Sequence, residues 1–418
     1  MVYVLNINGQ PIMPTNNHAK VRILLKQNKA IVIKKCPFTI KLTYKTSNYT
    51  QDITLGVDAG SKHIGLSATT ISNELFASDI ELRNDIVDLL STRRENRRTK
   101  RNRLRYRKPR FNNRIHSKNK GWLAPSIEHK IQCHFKAIEN VYNILPITKI
   151  VVETASFDIQ KIKNPEIKGE EYQQGEQMDF WNTREYVLFR DNHTCQCCKG
   201  KSKDERLNVH HIESRKTGGN APNNLITLCE TCHNNYHNGK IQLPKTIKRG
   251  MSFKDATFMG IMSWTFYNRL KEIYTNVHMT YGYITKNTRI KNGLQKEHYI
   301  DARCISGNPL AKPLGYYYYQ KKVRCHNRQI HKAKILKGGR KKLNQATYEV
   351  KGYRLYDKVR YKQREYYIYG RRSSGYFDIR TLDGEKINKG SISYKKLKLI
   401  EKRKKYLIER RIVVPPHT

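Results

Sequence analysis

Asp58, Glu153 and the pair His298 and Asp301 lie far apart along this chain, each at the end of an apolar run or on an expected helix. Phosphodiester cleavage by two metal ions needs several carboxylates converging on cations roughly 4 Å apart. Hard oxygen donors of that kind suit Mg2+. Between the second and third of these positions falls a block with another donor set, Cys195-x2-Cys198, His210-His211 and Cys229-x2-Cys232-His233. Two CxxC pairs separated by 30 residues can close a tetrahedral structural zinc site, with Cys197 a competing ligand. A structural zinc ribbon would explain the cysteines, but not the adjacent histidines, Asn224 and His233 together.

Several elements must position these groups. Asp58 is expected on a strand in ITLGVDAG, followed by strands in HIGLSATTI and ELFASDIEL, an antiparallel meander. Glu153 ends the strand 147–153, reached through a helix over 126–145 whose apolar positions repeat with a 3.6-residue period. His298 and Asp301 are three apart, so on the helix expected at 297–305 they share a face. Residues 1–50 predict a small α/β unit, with strands over 2–7, 30–33 and 38–43, a helix over 19–28 and a turn at Gly9-Gln10 before Pro11. Polar linkers are expected over 161–177 and 238–254, a helix over 256–274 and a strand over 277–284.

Charge sets the class of partner. The chain has 418 residues, with 81 Lys+Arg against 35 Asp+Glu and a net charge of +46. Self-repulsion of that size is relieved by a polyanion, and each phosphate neutralised releases counterions. Residues 93–114 hold 12 Lys/Arg and one acid, on every face of an expected helix. The bland alternative is a solvated basic segment. Residues 313–418 hold 30 Lys/Arg, eight acids and 14 tyrosines, with strand-like runs over 353–361, 366–370 and 375–382 that predict a small barrel or sheet. Nine cysteines, four of them in CxxC-type pairs, favour metal binding over a disulfide framework. The opening MVYVLNINGQPIMP lacks a basic n-region and long apolar run, and no segment approaches a membrane span, so the sequence reads as cytoplasmic, or nucleoid-associated in a bacterial or archaeal cell.

GVDAGSKHIGLS, IVVETASFD and HYIDA resemble the three segments of a RuvC-type RNase H-like nuclease core. The resemblance implies that Asp58, Glu153 and Asp301 hold Mg2+ and that His298 is a ligand or a base activating water. Residues 184–238 resemble the HNH (ββα-metal) nuclease motif, which implies His211 as general base. It further implies His210 and His233 as ligands of one divalent ion, His237 as a possible third, Asn224 as the residue ordering the loop, and Cys195, Cys198, Cys229 and Cys232 on zinc.

An HNH block inserted before the third RuvC segment, an arginine-rich helix after the first, and GQPIMP in the place of a PLMP signature resemble the IscB family of transposon-associated RNA-guided DNA endonucleases, relatives of the CRISPR type II effectors. The implied fold is a multidomain α/β chain, an RNase H-like core split by a bridge helix and the inserted HNH domain. Its expected parts are a PLMP-like domain (1–50), RuvC segments (51–92, 115–165 and 250–310), a bridge helix (93–114), the HNH domain (178–240) and a β-rich domain (313–418) reading a target-adjacent motif. Arg93, Arg94, Arg97, Arg98, Arg101, Arg103, Arg105 and Arg107 would then hold nucleic acid. The implied partners are a guide and scaffold RNA and double-stranded target DNA, around a monomeric protein with no membrane contact. Only about thirty residues separate the arginine helix from the Glu153 strand, too few for the large recognition lobe of CRISPR effectors, so RNA would supply that bulk. Two rivals stand beside this reading: a homing endonuclease or resolvase that reads DNA directly without RNA, and an RNA-binding scaffold with inactive sites.

Overall fold

A computed structural model describes residues 1–104, 123, 125–154, 177, 180, 182–214, 220–248, 250, 254–325 and 347–413. Two compact units share the chain, one formed by 1–155 with 262–418 and the other by 156–261.

The chain opens with β1 (Val2–Leu5), β2 (Pro11–Thr15), α1 (His18–Lys26), β3 (Ala30–Lys34) and β4 (Thr39–Leu42), a four-stranded sheet ordered β2-β1-β4-β3. After the turn expected at Gly9-Gln10, Pro11–Thr15 form a strand to which the sequence reading assigned no element. Its place at the sheet edge allows this, because proline lacks the N–H that an interior strand must donate. Asn17 caps α1 by accepting from the Lys20 amide.

The larger sheet carries the chemistry. β5 (Thr54–Ala59), β6 (His63–Thr69) and β7 (Glu74–Glu81) form the antiparallel meander. α2 (Ile86–Leu104) follows, seven residues earlier in its start than the basic composition predicts, and the rest of the expected bridge helix lies outside the described residues. α3 (Pro125–Tyr142) leads to β8 (Lys149–Thr154), which runs parallel to β5. The expected linker over 161–177 lies almost wholly outside the described residues.

The unit formed by 156–261 contributes α4 (Thr183–Arg190), β9 (Leu207–His211), β10 (Leu225–Cys229) and α5 (Glu230–His237). β9 and β10 pair antiparallel and α5 follows without a break, which makes a ββα unit. Ile226, Leu228 and the cysteines form its small core.

α6 (Lys254–Ile273), β11 (Val277–Tyr281), α7 (Gly282–Lys291) and α8 (His298–Ile305) return the chain to the large sheet. β11 pairs parallel to β8. The strand expected to reach residue 284 stops at Tyr281, and the helix α7 was invisible to the alternation pattern. Its mean polarity and three exposed apolar positions (Tyr283, Ile284 and Ile290) mask any buried stripe.

The domain expected over 313–418 needs a correction. β12 (Tyr316–Lys322) pairs parallel to β7, and β18 (Tyr406–Ile412) pairs antiparallel to β12. The large sheet is therefore seven-stranded, ordered β11-β8-β5-β6-β7-β12-β18. Only β13 (Lys358–Tyr361), β14 (Arg364–Arg371), β15 (Tyr376–Arg380), β16 (Ile392–Ser393) and β17 (Lys398–Glu401) form the separate sheet expected there. A boundary at residue 313 thus cuts a β-ladder. The run over 353–361 is a strand only from Lys358, where Val359 enters the small sheet's core.

Two glycines let α8 lie against the large sheet. A Cβ on Gly56 of β5 would sit 1.9 Å from the Ala302 carbonyl oxygen, and one on Gly65 of β6 would sit 2.0 Å from that of His298. Real Cβ atoms do not approach so closely, so helix backbone occupies the space a side chain would fill. α8 is then held by a buried Arg303–Glu74 ion pair at 3.5 Å and a Thr69–Ser306 hydrogen bond of 2.8 Å. Gly65→Ala should push α8 outward and lower stability by about 1–3 kcal/mol, the range for overpacking a filled site. Thermal unfolding checks this, and an unchanged midpoint would show that the approach is not tight.

Candidate active sites

Strand register assembles the first site. Asp58 stands one residue beyond the Val57–Val152 pair, so Glu153 is its neighbour on the parallel strand β8. Asp58 also faces Gly65 on β6, and Gly65 faces Asp79 on β7. Side chains alternate along a strand, so Asp58, Glu153, His63 and Asp79 share the face on which Gly56 and Gly65 admit α8. That helix brings His298 and Asp301.

The contacts are short. His298 Nδ1 donates to Asp58 Oδ2 at 2.6 Å, and this bond raises the imidazole pKa. Arg289 Nε of α7 lies 3.0 Å from Asp301 Oδ1, an ion pair at an angle that does not make a hydrogen bond. Burial pushes the Glu153 carboxyl up to about 6, the Thr285 hydroxyl pulls it down, and the negative charges of Asp58 and Asp301 add to the rise. Asp301 is likewise raised, by burial and then by Asp58. Carboxylates that raise one another are a hard-oxygen donor set in need of a cation, which fits Mg2+.

The structure adds residues that sequence reasoning missed. The His63 ring stacks on that of His298, with centroids 4.9 Å apart and planes 6° from parallel. His63 Nδ1 in turn donates to Asp79 Oδ1 at 3.1 Å. His63 stood inside GVDAGSKHIGLS, but nothing in the sequence tied it to a residue 235 positions away. Arg289 and Thr285 escaped notice because their helix was read partly as strand. His134 of α3 is fully buried, its Nδ1 donating to the Lys130 carbonyl at 2.8 Å, and burial holds its pKa down to about 4.

The second site lies in the ββα unit. Cys195, Cys198, Cys229 and Cys232 bring their sulfurs within 4.8 Å of one another, and Cys197 is not among them. Burial works to raise the Cys198 thiol, yet hydrogen bonds from Ser202, Cys195 and Cys229 bring it down to about 6. Four such sulfurs fit a closed tetrahedral zinc site. His210, His233 and His237 form the other group within 4.8 Å among the described residues. His210 is held near 4 by burial and by His233, His237 and His211, so its imidazole stays neutral and keeps a lone pair. The buried His210 Nε2 has no hydrogen-bond partner, as expected of an atom kept for a metal ion.

His211 stands next in β9 and points elsewhere, its Nε2 donating to Asn220 Oδ1 at 3.0 Å. Asn224 is buried and clamps the strand exit, its Oδ1 accepting from the Glu213 amide at 2.9 Å and its Nδ2 donating to the Glu213 carbonyl at 3.0 Å. A cleft of about 360 Å³ opens here, lined by His210, His211, Ser214, His233, Tyr236 and His237.

On α2, Arg93, Arg94, Arg97 and Arg98 are exposed. Arg101 and Arg103 lie within the same helix, and Arg105 and Arg107 lie outside the described residues. Among the described residues no helix is long and apolar enough to cross a membrane.

Residues 2–175 match the RRXRR protein family and residues 195–239 match the HNH endonuclease family, the latter span holding all four cysteines and all three clustered histidines. No curated protein matches the chain. Crystal structures of Streptococcus thermophilus Cas9 are similar to it. The complex with the AGAA PAM shares 12% identity over 45% of this chain and 26% of that one, with a TM-score of 0.33. The complex with the AGGA PAM shares 14% over 44% and 26%, with a TM-score of 0.30. The chain spans about a quarter of the Cas9 chains it matches.

Two expectations follow from the geometry. Purified protein should carry about one zinc per chain, the stoichiometry of one four-cysteine site. Elemental analysis reads this, and a folded ββα unit without zinc would refute it. Glu153 gives a pH dependence. Its folded pKa of about 6 exceeds the ordinary 4.5, so the folded chain takes up a proton in that window and stability falls as pH rises through it. The penalty is complete above about pH 6. Glu153→Gln should therefore raise the melting temperature of metal-free protein at pH 7.5, with the gain vanishing below pH 4 and Mg2+ stabilising the parent more than the variant. Equal melting curves at pH 7.5 would count against it.

Proposed function

We propose, from an IscB-like chain with an RRXRR-type amino-terminal part and an HNH endonuclease block, that this protein is an RNA-guided DNA endonuclease with two cutting centres. One observation carries the proposal: two clusters of opposite donor chemistry, carboxylates and imidazoles, are built by interleaved stretches of one strongly basic chain. A guide RNA would pair with one DNA strand, and the protein would hold the heteroduplex by its backbone.

At the imidazole centre, His210, His233 and His237 are the residues to hold a divalent ion. Such an ion, when bound, supplies Lewis acidity beside the scissile phosphate. His211 accepts a proton from the attacking water. Because Asn220 Oδ1 can only accept, it takes the Nε2 proton of His211, which leaves the lone pair on Nδ1. Asn224 fixes the backbone that carries this base. The guide-paired strand is the substrate here.

At the carboxylate centre, Asp58, Glu153 and Asp301 are the residues to hold Mg2+. His298 either joins them or takes a proton from water. Three antiparallel strands followed by two parallel ones, with acids at adjacent strand ends, support an RNase H-like core cutting the displaced strand. The exposed arginines of α2 offer phosphate contacts for RNA. The small sheet β13–β17 is assigned to a short duplex motif beside the target. The protein is read as a cytoplasmic monomer within a ribonucleoprotein.

Strand-specific loss tests the proposal. His211→Ala should spare cutting of the displaced strand, and Asp58→Ala should spare the guide-paired strand, on end-labelled duplex with Mg2+ and the RNA that co-purifies. Loss of both cuts in either variant, with nucleic-acid binding intact, would end the two-centre reading.

A further inference from the structure

Beside Glu153 stand two aromatic rings that the chemistry above does not use. β11 pairs with β8 so that Thr280 faces Glu153 and Tyr281 faces Thr154. Gly282 comes next, and a Cβ there would lie 3.0 Å from Glu153 Oε1, so this backbone skirts the carboxylate itself. Tyr281 and Tyr283 flank that glycine. Their rings lie 11° from parallel with centroids 6.0 Å apart. Tyr283 is 65% exposed and Tyr281 37%, which leaves aromatic surface open to solvent. Lys286, three residues after Tyr283 on α7, is exposed on the same side of the helix.

We infer that Tyr281 and Tyr283 form a stacking platform for a nucleobase of the single DNA strand presented to the carboxylate centre, with Lys286 taking an adjacent phosphate. This rests on the reading that the carboxylate centre cuts a single strand. Burying exposed tyrosine is favourable, and every base offers a π-face, so such stacking tolerates any sequence. A centre fed by a guide must accept whatever sequence the guide displaces, and stacking meets that need where hydrogen bonding to base edges does not. The position also matters. A base held one residue from the strand end that carries Glu153 fixes the neighbouring phosphate relative to the carboxylates, which is positioning that the acids cannot supply themselves.

The test uses the full-length chain as purified, with Ca2+ in place of Mg2+, and a single-stranded DNA oligonucleotide carrying 2-aminopurine at successive positions, whose fluorescence falls when it stacks. The parent should quench one position. The double variant Tyr281→Ala/Tyr283→Ala should lose that quench and bind about tenfold more weakly, the effect of removing one base–aromatic stack. Tyr283→Phe and Tyr283→Trp, which keep the ring face, should retain the quench, and unchanged melting curves show that the double variant folds. Tyr49→Ala, at an exposed tyrosine elsewhere, serves as the control. A quench that survives the double variant, a quench at no position, or a quench only with the RNA oligonucleotide of the same sequence overturns the platform. Cutting of the same DNA with Mg2+ is scored separately. A quench that depends on the tyrosines without any Asp58-dependent cutting leaves the platform standing and removes the carboxylate reading; cutting with no such quench does the reverse.

Discussion

The close approach of α8 to β5 and β6 is the constraint on which the carboxylate centre depends. A side chain at Gly56 or Gly65 would stand where helix backbone now runs. Without that approach Asp301 and His298 would not reach the strand end that carries Asp58. The helix is seated by more than contact. Its residues Tyr299, Ile300, Ala302, Cys304 and Ile305 are buried, and Arg303 reaches the buried Glu74, whose carboxyl is raised by burial and pulled back by Ser67 and Arg303. A buried ion pair returns little net stability after desolvation. Its value here is register, since a one-residue slide of α8 would strand both charges and move His298 off Asp58.

Both centres are assemblies of like groups. Burial and mutual repulsion raise Glu153 and Asp301, while burial and mutual repulsion lower His210 and His233. Each shift moves its group toward the neutral form, so neither cluster gathers for its own stability. A cation relieves both. The carboxylates offer hard oxygens and the imidazoles borderline nitrogens, so the two centres differ in the ions that suit them. The intervening ββα unit keeps its own zinc-type cysteine set to hold so small a core together.

Much of this was legible in the chain. Alternating apolar residues marked β5 to β7, a continuous apolar run marked β8, and the CxxC spacing marked a site whose sulfurs do converge. What escaped notice was long-range or concealed by mixed patterns. The His63–His298 stack joins residues that no local period connects. α7 carries Tyr283, Ile284 and Ile290 outward, so its helical stripe is blurred and the run after β11 read as more strand. β12 (YYYYQKK) and β18 (YLIERRI) show no apolar–polar alternation, so neither stood out as a strand, still less as an extension of the large sheet. The resemblance implied Asn224 as the residue ordering the loop, but it gave no sign that Asn220 would meet His211.

The net charge of +46 is a poor guide to which cations stay free at the surface, because the fold consumes many of them. Arg371 donates to the carbonyls of Thr347, Tyr348 and Tyr353, Arg380 pairs with Asp378 and lies over the Tyr369 ring, and Arg411 lies over Tyr319. These arginines build the sheets. The β13–β14 hairpin is different. Tyr361 pairs with Arg364, so its turn is the two residues Lys362 and Gln363, both in the left-handed region at φ 45° and 63°. Such turns favour Asn-Gly, and a non-glycine residue held there costs on the order of 1–3 kcal/mol. The sequence spends that strain on a tip where Arg360, Lys362 and Arg364 are all exposed. Strain retained under a cluster of exposed cations sets this tip apart from the half-buried arginines behind it, whose charges the sheets consume.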